Sequence, residues 1–163
     1  MTLVQRALDT LPPNLRWRGG LSRPPDSNFG TDVQTANLYV TQLHIRSTLL
    51  QQMHTLLETH TPAPQGLQGL GDITKQRAMI VKDLLEILYH MSEEILEANG
   101  QSLVPKARDI GSALLDEMGM GASPLGGSES FDLDTQKASV DLRKLLEKLE
   151  RLDYLPRSAS GLS

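Results

Sequence analysis

The chain has 163 residues, a formal net charge of −4, 4% aromatic residues and no cysteine. Its length suits one domain that buries about two-thirds of its unfolded surface, with a core built from Leu, Ile, Val, Met and Ala, a palette that favours helix packing over a β-sandwich. The missing sulfur excludes disulfides, thiolate nucleophiles and thiolate zinc sites, the mild negative charge argues against a surface devoted to nucleic-acid phosphates, and no apolar run reaches the roughly eighteen residues of a membrane span.

Leu3, Val4, Ala7, Leu8 and Leu11 repeat at helical intervals and predict a short amphipathic helix, stopped by Pro12-Pro13. Arg6 and Asp9 interrupt this stretch, so it lacks the apolar core of a signal peptide and predicts a chain that is not secreted. From Asn14 to Gly30 there are glycines and prolines without a period, which predicts an extended loop pinned by Trp17. Asp32 is the expected N-cap of a long helix over Val33 to His60, about 42 Å at 1.5 Å per residue. One stripe of that helix carries Ala36, Val40, Leu43, Leu50 and Leu57, and an adjacent one carries Ile45, Leu49, Met53 and Leu56, so packing is expected on more than one side. Pro62 ends it.

The Pro- and Gly-rich segment 62–71 reads as a linker, with Asp72 capping a second long helix whose stripe is Val81, Leu84, Leu85, Leu88, Met91 and Ile95. Asn99-Gly100 is the expected stop, because both residues tolerate the left-handed conformation just past a helix end. A shorter helix should follow, with Pro105 near its start and Leu103, Ala107, Ile110, Leu114 and Met118 on one face. Residues 119–131 read as a flexible linker and 156–163 as a disordered tail, with an amphipathic helix over 132–155 between them. The fold class expected is therefore all-α: an irregular helical array over residues 1–118 with two long helices and a shorter one, and a tethered C-terminal helix. On that last helix Leu142, Leu145, Leu149 and Leu152 form a stripe that fits both packing onto the domain and docking to a partner.

Little in the sequence assembles into chemistry. His54 and Glu58 stand one helical turn apart but His60 falls on a different face, so the group lacks the ligands of a metal site. His44 and His90 have no nucleophile beside them, and Glu93 and Glu94 diverge by about 100° on a helix, too far to share acid and base roles. Gly66, Gly69 and Gly71 lack the order and the preceding strand of a phosphate loop. Arg16, Trp17, Arg18 and Arg23 place an aromatic ring among cations, an arrangement that suits nucleic acid or an acidic partner, although such a ring more commonly packs under a loop. No enzyme, cofactor or metal is expected.

Two stretches, ALDTLPPNLRW over residues 7–17 and ANLYVTQLHIRSTLLQQM over residues 36–53, resemble the later part of the regulatory, or middle homology, region of fungal zinc-cluster transcription factors. In that family a short helix leads through an LP-x-x-L-x-W turn, matched by Leu11 to Trp17, into a long helix, matched in looser form by Leu38 to Leu50. Residues 78–118 look similar to the helical tail of the region in one branch, so the resemblance runs from Leu3 to Met118. The family's DNA-binding module is a six-cysteine cluster around two zinc ions, and this chain has no cysteine. No DNA-contacting or zinc-ligating residue carries over. The resemblance implies an all-helical regulatory domain in the nucleus, truncated or acting alone, that meets protein partners (itself among them) or a small effector between its helices, with no direct DNA binding and no membrane. The alternative is a helical adaptor or scaffold unrelated to transcription, docking through the Leu142 to Leu152 face.

Overall fold

The computed structural model describes residues 10–16, 28–60, 63–120 and 129–154. The chain is all-α: a 3-10 turn at Pro13–Leu15 precedes four helices, α1 (Phe29–His60), α2 (Ala63–His90), α3 (Glu93–Met120) and α4 (Glu129–Tyr154). The expected helix around Leu3 to Leu8, the loop around Trp17, and the tail lie outside the described residues.

α1 starts four residues ahead of the expected Val33. Its cap is Asn28, not Asp32: the Thr31 N–H donates to Asn28 Oδ1 over 3.0 Å, and the Asn28 N–H donates back to Thr31 Oγ1 over 2.9 Å. This reciprocal pair satisfies two otherwise orphaned donors and leaves Asp32 in the first turn, where its charge suits the helix dipole. The helix ends at His60, as Pro62 dictates.

α2 begins at Ala63 rather than Asp72, so helix replaces most of the expected linker. Pro64 falls in the first turn, where a missing N–H costs least, and glycines weaken a helix by about 1 kcal/mol each without forbidding it. The larger correction concerns its end. The Asn99-Gly100 stop does not occur; the chain breaks at Met91-Ser92. Ser92 stands at the N-cap position, its carbonyl accepting the Leu96 N–H over 3.1 Å, and Glu93 and Glu94 complete an acidic first turn. The third helix is therefore not short: α3 has 28 residues, with Pro105 in its interior. An interior proline costs about 3 kcal/mol, which the burial of Leu103, Val104, Ala107 and Ile110 around it offsets. Asn99 is buried and works as a clamp, its Nδ2 donating to the Val33 carbonyl of α1 over 3.0 Å and to the Ile95 carbonyl over 3.2 Å. Helix also enters both ends of the expected linker, since α3 runs to Met120 and α4 starts at Glu129; residues 121–128 lie outside the described set.

Cross-links fix the directions. Arg46–Asp83 and Gln51–Arg77 run α1 against α2, whereas Val33–Asn99, Asn37–Lys106 and His44–Asp109 run α1 along α3. α1, α2 and α3 thus alternate up and down. α2 and α3 form the middle, α1 packs on both from one side and α4 on both from the other. α4 comes closest at Gly111, where an added Cβ would meet Leu145 Cδ2 at 3.2 Å. The core runs through Val40, Leu43 and Leu50 of α1, Ile80 to Leu88 of α2, Leu96 to Leu114 of α3 and Ala138, Leu145 and Leu149 of α4.

Candidate interaction surface

Besides the Asn99 clamp, several polar arrangements join the helices. Lys106 Nζ donates to Asn37 Oδ1, Thr41 Oγ1 and Ser102 Oγ at 3.0, 2.8 and 2.9 Å, which uses all three of its protons and sets the register of α1 on α3. Arg77, buried in α2, donates from Nη1 to the Ala113 carbonyl over 2.9 Å and from Nη2 to Gln51 Oε1 over 2.7 Å, so one guanidinium ties three helices together. His44 Nε2 lies 3.1 Å from Asp109 Oδ2. That pair has the look of an oriented base, but the neighbouring hydroxyls are spoken for: Thr48 Oγ1 donates to the carbonyl of His44 itself and Thr41 Oγ1 to Asn37. It is an exposed side-chain contact, an ion pair only when His44 is protonated, and surface pairs of that kind contribute about 0–1 kcal/mol.

The Arg46–Asp83 pair, at 3.6 Å, is less balanced. Burial pushes the Asp83 carboxyl above the ordinary aspartate value of 3.8, and Arg46 pulls it only part of the way back. A carboxyl with a raised folded-state pKa favours folding in its protonated form, so its contribution is complete below 3.8 and lost as pH rises through the raised value. Asp83→Asn removes that loss. The variant's stability relative to the parent should climb as pH rises from below 3.8 through the raised value, read from urea midpoints, and a gap constant with pH would refute this assignment.

The remaining expected residues divide plainly. His54 is half-buried, and the side chains of Glu58 and His60 lie outside the described residues. Among the described residues no three His, Asp or Glu side chains converge around a space for an ion, and no helix is long and apolar enough to cross a membrane. Glu93 and Glu94 are exposed in the first turn of α3. His90 turns Nδ1 to the Glu86 carbonyl at 2.6 Å and closes the end of α2. Arg16 Nε donates to the Leu11 carbonyl over 2.6 Å, while Trp17, Arg18 and Arg23 lie outside the described residues. Leu142, Leu145 and Leu149 are buried and Leu152 is partly buried against the core, so the stripe expected as a partner-docking face is covered by this chain's own α2 and α3. The physical reason is the Gly111 approach, which lets α4 sit close enough to bury it.

The uncovered apolar face is on α1. Leu38, Ile45, Leu49, Met53 and Leu56 are between 37 and 57% exposed, on a helix whose described neighbours are α2, α3 and the turn at Pro13–Leu15. The second stripe legible in the sequence is thus real, but among the described residues it is bare. Thr41, Thr48, Gln52 and Thr55 border it, and from Val33 to Leu57 the one Asp, Glu, Lys or Arg is Arg46, which turns to Asp83. On α2, the Arg46–Asp83 and Gln51–Arg77 contacts place Met79, itself exposed, level with Leu49. The face is apolar and rimmed by neutral hydroxyls and amides. Set against known protein families, curated proteins and solved structures, the chain has no significant match.

Proposed function

We propose that this chain is a helical interaction domain of the transcription-regulator type, without a DNA-binding module of its own, working in the nucleus through contacts made by helix faces. The observation that carries this reading is the bare apolar stripe of α1, which lies on the same helix as the stretch 36–53 that resembles the regulatory region of fungal zinc-cluster factors. Contiguous apolar surface that a chain leaves to water commonly marks a contact site. The adaptor reading leaned on Leu142, Leu145, Leu149 and Leu152, and α2 and α3 already occupy that face.

The full chain fused to an unrelated DNA-binding module should change reporter transcription several-fold relative to the module alone. Leu49→Glu should abolish the change while circular dichroism stays that of the parent, because Leu49 is not part of the core. A reporter indifferent to the fused chain would overturn the proposal.

A further inference from the structure

Spacing along the bare stripe is regular. The exposed Leu38, Ile45, Leu49, Gln52 and Leu56 all fall in phase with the alternating four-and-three spacing of two helices packed side by side, while Gln42, the remaining position in that phase, is buried within the chain. The seam also reads the same in both directions. Ile45 and Leu49 stand two residues either side of Ser47, and Leu38 and Leu56 stand nine. Two such helices laid antiparallel about a dyad level with Ser47, whose own side chain is buried on the opposite face, would set Leu38 beside the other copy's Leu56 and Ile45 beside its Leu49.

Charge narrows the occupant. Nucleic acid and anionic membranes need clustered Lys and Arg, and this face presents none; Arg46 is held by Asp83. A face without charge meets an identical face without repulsion. The stripe runs from Leu38 to Leu56, about 27 Å of helix, and pairing it with its copy and the bordering Thr and Gln side chains removes on the order of 1,000 Å² from water, the lower limit for a specific interface.

We infer that a second copy of this chain covers the stripe, giving a homodimer in which two α1 helices pack antiparallel about a dyad at Ser47. The antiparallel arrangement also sets each helix dipole against the other. This deepens the helix-face reading above by naming the partner, and the two can fail separately: a monomer that still alters the reporter sinks only the dimer, and a dimer without reporter effect sinks only the regulatory role.

Sedimentation of the full chain at up to about 100 μM should give twice the chain mass. Ile45→Glu with Leu49→Glu, both at exposed positions, should weaken dimerisation at least about tenfold by setting carboxylates against each other. The chain has no cysteine, so single thiols report the arrangement. Thr48→Cys, one residue from the dyad, should join two copies through a short bis-maleimide, whereas Gln52→Cys should not, its two copies lying about 15 Å apart along the axis. A monomer throughout the range, a dimer untouched by the Glu pair, or Gln52→Cys cross-linking as well as Thr48→Cys would each overturn the inference; the Thr48→Cys result stands even if the Glu pair misfolds.

Discussion

Leu84→Ala is expected to lower stability by about 3 kcal/mol, within the 2–5 kcal/mol span of such truncations. Leu84 is fully buried in the C-terminal third of α2, a helix that touches all three others, so the hole cannot collapse without shifting more than one neighbour. For a domain of this size that loss corresponds to a fall in Tm of roughly 6–12 °C. Leu115→Ala removes the same atoms from an exposed site on α3 and should stay within about 0.5 kcal/mol of the parent. Thermal unfolding of the pair checks both. If the two substitutions cost the same, the core is misplaced.

Arg77→Ala should cost a similar amount, about 3 kcal/mol, for different reasons. It deletes charge-assisted bonds to Gln51 and to the Ala113 carbonyl and empties a long buried volume between three helices. The two contributions separate with Arg77→Met, which restores most of the volume and none of the bonds. Replacing a buried charge by a well-packed apolar side chain is commonly neutral or better, so Arg77→Met should lose less than half of what Arg77→Ala loses. Urea unfolding decides, and equal losses in the two variants would assign the whole effect to the hydrogen bonds.

Periodicity made the helical architecture legible and also the inward stripes, from Val40 on α1 to Leu149 on α4. It placed the end of α1 correctly because Pro62 acts locally. It misplaced the break between α2 and α3, because Asn99-Gly100 carries the chemistry of a helix stop, and what Asn99 does instead depends on a carbonyl 66 residues away. The Ser92-Glu93-Glu94 signal was in the sequence and was outweighed by a stripe that continues, in phase, across the break. Arg77 was legible too: it lies four residues after Ile73 and three before Ile80, both buried, and a cation in such a stripe marks a buried polar link. Asp109 as the partner of His44 had no local sign at all. Periodicity revealed the second stripe of α1, but two apolar stripes look alike in a sequence whether or not anything covers them.

The parallel pairing of α1 with α3 bears on how the chain is made. The clamp from Asn99 to Val33 and the Lys106 contacts to Asn37 and Thr41 join residues 65 to 69 positions apart. On a ribosome adding about 5–20 residues per second, α1 emerges several seconds before the helix that locks its register exists. Its greasy flanks wait meanwhile, and nascent chains on one polysome would meet through them first.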